Sequence, residues 1–507
     1  MVSAMFELGS LHKLFSLKSL GRRLRSVPLF LLLVPYAMGI PLADHLLLAD
    51  WWLFVALGLA TTVIVFWGGY RVLRYVAISV IMLGFGYMTT LLQRPCCDIE
   101  DGSWIDAVVR VDDVPAERDG YRLSYGEIEM WCKDSICHAS DYDVVLWLRN
   151  DSIREGDRVH LRTKFSRRMS RHEEYDRLLR NRGYVGGVGL NDRGIAWVER
   201  GAHQTLQSRA IRKLERYMLD SASHSTVEAM VVGSRRLGPQ HLREAYSRTG
   251  LSHLMALSGL HIGIVTMVLF VLLMPLLLLR HGNRVHSIAV ICLLWLYVAM
   301  SGGSASLVRA ALMFSFLHLA MASSMRSNSL NMLSVVLFAM LIYRPYYLYD
   351  ISFQLSAMAV LGIVVWGLPA IRRLAHMPYV WYSLLMTLII GVVATLWTLP
   401  LVSYTFGSIS LVGVITTPVA MLTAYAIVCC GVFTLLLPHP LALPFGWLAE
   451  RAAWLQNSFV EWLAKADWIT LDCMLSAWCV VAIYTIFLLI TLVGWAKIKK
   501  NGNFVIR

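Results

Sequence analysis

The sequence predicts a mainly α, polytopic helical membrane bundle with one small β domain inserted after its first helices. Three observations carry this. The 507 residues are 57% apolar and only 16% charged, against roughly 25% charge in an ordinary soluble domain. Charge-poor runs of membrane-spanning length recur along the chain. Between the third and fourth of them lies a long polar stretch whose apolar residues alternate as in strands. Together these exclude a disordered chain, a coiled coil, a small disulfide scaffold and a simple soluble enzyme. The net charge of +13 partly follows the orientation rule for membrane proteins, so by itself it does not signal nucleic-acid binding.

Residues 1–26 carry Lys13, Lys18, Arg22, Arg23 and Arg25, and no small-residue cleavage site follows. This reads as a basic cytoplasmic N-terminus leading into a signal anchor. N-terminal transmembrane helices are expected over 27–93, from runs near 28–48, 51–69 and 75–93. Apolar runs resume near 251–279, 285–300, 307–323, 329–343, 351–370, 379–401, 409–437 and 473–495, about eleven in all. Short loops with Arg71 and Arg74, Arg280 and Arg284, Arg326, and Arg372 and Arg373 are assigned inward. That places residues 94–245 outside and keeps the alternation through nine spans. It fails at the end: eleven crossings leave the tail outside, whereas Lys497, Lys499 and Lys500 argue for inside. Within 438–472, Leu448, Leu455, Phe459 and Trp462 form one face, with Glu450, Arg451, Glu461 and Lys465 around the rest. This segment is expected as an interfacial amphipathic or re-entrant helix. A broken helix is the alternative, at Thr416-Thr417-Pro418. The final helix and basic tail occupy 473–507.

The outer segment 94–200 changes period. "SWIDAVVRVDDVP", "YRLSYGEIEMWC", "SDYDVVLWLRN" and "DRVHLRTKF" read as short strands, separated by turns such as Arg118-Asp119-Gly120 and Glu155-Gly156-Asp157. Several short strands in about 100 residues predict a small barrel, and an OB-like barrel is one form that fits. A connecting helical segment is expected over 201–250. Residues 94–151 hold 6 basic and 14 acidic groups, whereas 152–216 hold 16 basic and 8 acidic. Arg158, Arg162, Lys164, Arg167, Arg168 and Arg171 form a basic cluster able to neutralise phosphates, with Phe165, Tyr175 and Tyr184 nearby for base stacking. A solvated face, or attraction to anionic lipid, is the plainer reading.

Cys292, Cys429, Cys430, Cys473 and Cys479 lie in apolar runs and read as packing residues. Cys132 and Cys137 have a hairpin-like spacing that fits a cross-strand disulfide, although pairing with Cys96 or Cys97 stays open. No metal or cofactor site is expected.

The most specific stretch is "GLSHLMALSGLHIGIV" at 250–265. Ser252, His253, Ser258 and His261 are costly in a membrane helix and usually face a bundle interior or a wet cavity. If the stretch is one helix, His253 and His261 lie within roughly 80° of each other. Gly259 and Gly263 allow close helix packing. Arg309, just inside a span after a Gly-Gly-Ser-Ala-Ser linker, should face water, an acidic partner or a phosphate, or else snorkel. Gln354 and Ser356 sit at the start of another span, after Asp350.

This stretch resembles the ComEC family of bacterial competence proteins. "SGGSASLVRAALM" (301–313), "RPYYLYDISFQLSAMAVLGI" (344–363), "TLPLVSYTFGSISLVG" (398–413) and "EYDRLLRNRGYVGG" (174–187) look like further family segments, in the family's order. The resemblance implies import of one DNA strand across the bacterial cytoplasmic membrane during natural transformation. It assigns 251–437 to the channel and the OB-like domain to the outside. His253, Ser258, His261, Arg309 and Gln354 are then the path candidates, and the basic cluster is the outer DNA contact. The partners implied are DNA, membrane lipid, a DNA receptor, a helicase-like motor and single-strand-binding proteins. No Gly-x-x-x-x-Gly-Lys-[Ser/Thr] loop and no His-x-His-x-Asp-His cluster occurs in the sequence. A motor and any nuclease are therefore expected on separate chains, and no enzymatic activity is expected here. Three alternatives stay open: a small-solute or lipid transporter, an intramembrane hydrolase using Ser258 with His253 or His261, and a shortened paralogue inactive in transformation.

Overall fold

The computed structural model describes residues 28–45, 71–94 and 97–500, except short segments at 113–115, 119–120, 134–135, 150–152, 154–155, 171–172, 182, 191–193, 201–205, 235–238, 256, 323–328, 375, 411 and 467–469. The expected basic N-terminus and the span near 51–69 lie outside the described residues, as do Cys96, Arg171 and Arg326.

Among the described residues the first helices are α1 (Pro28–His45) and α2 (Arg71–Leu92). Their backbones touch: a Cβ on Gly39 would lie 2.1 Å from the Leu83 carbonyl oxygen, and one on Gly86 would lie 2.1 Å from that of Tyr36. Only glycine permits that approach, which replaces side-chain interdigitation with backbone contact.

A closed barrel follows. Its strands are β1 (Trp104–Val111), β2 (Ala116–Arg118), β3 (Tyr121–Lys133), β4 (Ile136–Leu148), β5 (Arg158–Ser166), β6 (Gly186–Leu190) and β7 (Ile195–Glu199), with α3 (Glu173–Asn181) between β5 and β6. The order β1-β3-β4-β6-β5 closes back onto β1, while β2 extends β3 and β7 extends β5. Only β4 and β6 run parallel, pairing Val144 with Gly186. Period-2 alternation fixes the register: Val159, Leu161, Thr163 and Phe165 of β5 point into the barrel, and Arg158, Arg162 and Lys164 point out. Ile105, Val109, Ile128, Val144, Leu146 and Val188 complete the core. Cys132 and Cys137 are opposite each other on β3 and β4, joined by a disulfide with Cα atoms 4.1 Å apart.

Beyond the barrel come α4 (Leu206–Glu215), α5 (Ser221–Val231) and α6 (Gln240–Arg248). The bundle continues with α7 (Ser252–Met255), α8 (Gly259–Leu272), α9 (Gly282–Met300), α10 (Ala305–Ala322), α11 (Ser329–Tyr343) and α12 (Ile351–Gly362). A π turn joins α12 to α13 (Leu368–Arg372), and α14 (Tyr379–Phe406) follows. The chain ends with β8 (Ser408–Ser410), α15 (Gly413–Leu436), α16 (Leu443–Ala464), β9 (Thr470–Asp472) and α17 (Ala477–Lys500). Five helices among the described residues are long and apolar enough to cross a membrane, and five shorter apolar ones accompany them. A helical membrane bundle with a small barrel is thus the architecture.

Three local expectations change. The 250–265 stretch is not one helix, because the chain breaks between α7 and α8, so the helical spacing of His253 and His261 does not apply. Pro418 does not break α15, which is continuous. The segment 445–466 does not stand off as an amphipathic helix: α16 buries Gly446, Ala449, Ala453, Gln456 and Asn457 against its neighbours, and Leu448, Leu455 and Trp462 face outward.

The barrel meets the bundle at the loop after α11. α3 packs on the Pro345–Tyr349 turn. Burial pushes the Asp143 carboxyl above its ordinary range, and the Arg344 guanidinium pulls it back. A carboxyl raised in the folded state binds more protons folded than unfolded, so its ionisation opposes folding and stability falls as pH rises through its range. Asp143→Asn should flatten that fall in barrel stability, followed by hydrogen exchange against pH. Arg344→Gln should steepen it; no change in either variant would show that the two groups do not interact.

Candidate intramembrane polar site

The site begins at a helix break. Just past the end of α6 lies Gly250, whose φ of +74° only glycine adopts without strain. A Cβ there would also lie 2.8 Å from the Ser410 side chain and 3.3 Å from the Gly413 Cα. This close seat docks the start of α15 against the turn into α7, and Thr416 Oγ1 adds a 3.3 Å bond to the Thr249 carbonyl. His253 is exposed on α7 and its Nδ1 lies 3.1 Å from the Gly250 carbonyl oxygen, so that nitrogen donates.

Ser258 then turns extended, at φ −113° and ψ 172°, and starts α8. A new helix leaves its first N–H groups unpaired, and inside a membrane water does not supply the missing acceptors. Here His261 reaches back: the Ser258 N–H donates to His261 Nδ1 at 3.1 Å, and Ser258 Oγ lies 2.9 Å from the same nitrogen. Since Nδ1 accepts, a neutral imidazole carries its proton on Nε2. His261 is buried, and among the described residues its Nε2 has no partner.

α8 lies parallel to α10. Gly259 faces Ala310 with a would-be Cβ contact of 3.7 Å, and Gly263 faces Phe314 at 3.3 Å. The neighbour of Ala310 is Arg309, only 2% exposed. Its Nη1 donates to the Ser352 carbonyl oxygen at 3.4 Å and its Nη2 to Ser306 Oγ at 3.2 Å. Asp350 caps α12 by accepting from the Ser352 and Phe353 N–H groups at 2.8 and 3.2 Å, and its charge acts on Arg309. Gln354 Nε2 donates to the Leu348 carbonyl oxygen at 2.8 Å, tying α12 to the preceding turn. Arg309 therefore neither snorkels nor faces open water: it joins α10 to the start of α12.

The fold places Ser258, His261, Arg309 and Gln354 near the starts of α8, α10 and α12, with α10 packed against both of the others. Their N-terminal ends carry partial positive charge, and Arg309 adds a full one. Asp350, noted in the sequence as preceding the span at α12, proves to be its cap. Its place two residues before Ser352 is a capping signal readable in retrospect.

In the barrel the basic residues divide. Arg158 pairs with Glu129 at 2.9 Å. Arg162 stays exposed, 4.0 Å from Asp106, and Lys164 is exposed. Arg167 donates to the Cys97 carbonyl oxygen, and Arg168 to that of Ser170. The expected stacking residues are not available as open faces: Phe165 is in the core, and Tyr175 and Tyr184 pack with Tyr125 and Trp147.

The family model described as "Competence protein" matches residues 230–497, more than half of the chain. The chain belongs to the competence protein family. The match includes every residue of the intramembrane site and begins after the barrel. The chain is also similar to "ComE operon protein 3" of Bacillus subtilis (strain 168), at 27% identity over 288 residues. That match covers 55% of this chain and 35% of the relative, so the chain spans about a third of the length of the curated protein it matches. No solved structure matches it.

Removing Arg309 leaves the partly buried Ser352 carbonyl oxygen without its donor and takes a positive charge away from Asp350, a loss of about 1–3 kcal/mol. Arg309→Met should therefore lower the melting temperature of the detergent-solubilised protein, and adding Asp350→Asn should restore part of the loss. Equal melting of the single and double variants would mean that the two charges are uncoupled.

Proposed function

We propose that this multi-pass membrane protein is a channel for import of single-stranded DNA across the cytoplasmic membrane during natural transformation. The observation that carries the reading is the convergence of three helix starts, with Ser258, His261, Arg309 and Gln354 on them, inside the segment the family model matches. Broken helices within a membrane bundle are tolerated where they are buried in protein or line a wet path. Positive helix ends and a guanidinium favour a passing phosphate chain. The DNA would meet the barrel outside, and pulling would come from a cytoplasmic helicase-like motor with single-strand-binding proteins.

The proposed topology follows from β8 and β9. They pair as Ser408 with Asp472 and Ser410 with Thr470, so α15 and α16 between them leave from and return to one place, an even number of crossings. α14 thus ends on the side where α17 begins. With Arg372 and Arg373 inside, α17 runs inward and its Lys497, Lys499 and Lys500 end in the cytoplasm, which removes the parity conflict. A C-terminal fluorescent-protein fusion should be bright and an alkaline phosphatase fusion inactive; the reverse pattern would reject this topology.

The hydrolase reading has one favouring contact, Ser258 Oγ at 2.9 Å from His261 Nδ1. The same nitrogen is occupied by the Ser258 N–H, and no carboxylate orients Nε2 among the described residues. The pair is better explained as a helix cap, and the channel is proposed to act without enzymatic chemistry of its own.

The test is entry of fluorescent transforming DNA in a competent host. A clean deletion should capture DNA without any reaching the cytoplasm, and the intact gene should restore entry. Alanine variants at His253, His261 and Gln354 should lower entry at normal protein levels, Arg309→Lys, which keeps the charge, should retain more entry than Arg309→Ala, and Ser258→Ala should retain it. Unchanged cytoplasmic entry in the deletion would reject the channel.

A further inference from the structure

On OB-like barrels, oligonucleotides commonly lie across the second and third strands. Here those strands are β3 and β4, and the half of their outer face nearest α3 is covered, while the half toward the hairpin carries the acidic Glu127, Glu129 and Asp141. Leu123, Tyr125, Val145 and Trp147 pack under α3 with Met169, Tyr175, Leu179 and Tyr184. Tyr125 sits 5.0 Å from the Tyr184 ring, and its hydroxyl lies 3.3 Å from that of Tyr175. The usual binding wall is thus filled in one half by the protein's own aromatics and acidic in the other.

The opposite wall is open. Around the ring β1-β3-β4-β6-β5, the strands across from β4 are β1 and β5. Their outward side chains, with those of β7, form a surface fixed by register: Trp104 beside Lys164, Asp106 beside Arg162, and Trp197 beside His160. Trp104 is 61% exposed and Trp197 57%, and the side chain of Arg162 is 72% exposed. His160 stacks on Trp197 at 4.2 Å between ring centroids, which holds that indole in place. Trp104 and Trp197 flank β5 on opposite sides, beside residues four apart along it. Strand rise and spacing put them about 17 Å apart, with Arg162 between.

We propose that this β1–β5–β7 wall is where the incoming strand is held. Unpaired bases stack on Trp104 and on the Trp197–His160 pair, and Arg162 and Lys164 take the phosphates between them. The proposal rests on the DNA-import reading and narrows its outer ligand to single-stranded DNA. A duplex keeps its bases stacked on one another and offers no face to an indole, whereas a single strand binds aromatic platforms whatever its sequence. The wall spans a few nucleotides. Exposed tryptophan beside basic residues is also the composition of a membrane-interface belt. The geometry argues against lipid here, because β4 and α3, across the barrel, carry the contacts with the bundle at Arg344 and Pro345–Tyr349. The β1–β5–β7 wall faces away from that contact.

The test uses the full-length protein in nanodiscs, with fluorescence anisotropy of a labelled oligothymidine and of a mixed-sequence duplex. Trp104→Ala and Trp197→Ala should each weaken oligothymidine binding about ten-fold while leaving duplex binding and its salt dependence unchanged. Trp→Phe at either position should recover most of the affinity. Arg162→Gln should instead reduce the slope of log affinity against log salt by about 0.7. Slow hydrogen exchange of the barrel amides reports that each variant's barrel is folded. Unchanged oligothymidine affinity in both folded tryptophan variants overturns the proposal, as does failure of the parent protein to bind oligothymidine. Quenching of both tryptophans by brominated lipid in the nanodisc also overturns it and assigns the wall to the bilayer. These failures are distinct from failure of the channel reading, which is decided by cytoplasmic entry in the deletion strain.

Discussion

Helices that begin inside a membrane bundle must satisfy their first N–H groups without water, and the competence segment is organised around that constraint. At α8 the solution is Ser258 with His261. At α12 it is Asp350, which accepts two backbone N–H groups. The second solution introduces a buried carboxylate. Arg309, from the helix between, brings a positive charge that acts on it, and its bond to the Ser352 carbonyl oxygen fixes α10 against α12. The polar residues that stand out in the sequence thus answer to backbone geometry at two helix starts.

The same reasoning locates what a substrate would have to displace. Arg309 is enclosed, and two of its N–H groups go to Ser352 and Ser306. Gln354 is held by Leu348. A phosphate reaching these groups competes with neutral carbonyl and hydroxyl acceptors, which bind a guanidinium less strongly than an anion does. His261 differs, because its Nε2 proton has no partner to surrender among the described residues. The conformation described here is one in which the site is closed on itself.

Much of the fold was legible because two periods dominate the chain. Period-2 alternation in 103–166 marked β1, β3, β4 and β5, and charge-poor runs marked the bundle. The facing Cys132 and Cys137 followed from hairpin spacing. What escaped was anything set by partners distant in sequence. Phe165 was read as a stacking face because it lies among arginines, yet its register puts it in the core. Trp104 and Trp197 drew no notice, although Trp104 precedes a buried Ile105 and must therefore face out. The break at Ser258 was hidden by apolar residues on both sides, which suit a continuous helix until His261 is seen as a cap.

α16 shows why the amphipathic stripe misled. In water the apolar face of a helix turns inward; in a lipid-embedded bundle nothing drives it there, and polar side chains gain by meeting one another. Gln456 and Asn457 do so. Gln456 Nε2 donates to the Tyr246 hydroxyl at 3.1 Å, which donates to Asn457 Oδ1 at 2.9 Å. Thr226 and Thr423 complete the group from α5 and α15. Leu448, Leu455 and Trp462 are left outward, as lipid-facing residues would be. The segment that looked peripheral is therefore the hub joining α5, α6 and α15. Its charged Glu450 serves the same end, accepting the Leu219 and Asp220 N–H groups at 2.7 Å where the chain turns from α4 into α5. The connection that leads from the barrel into the competence segment is held by the helix that the sequence suggested as interfacial or re-entrant.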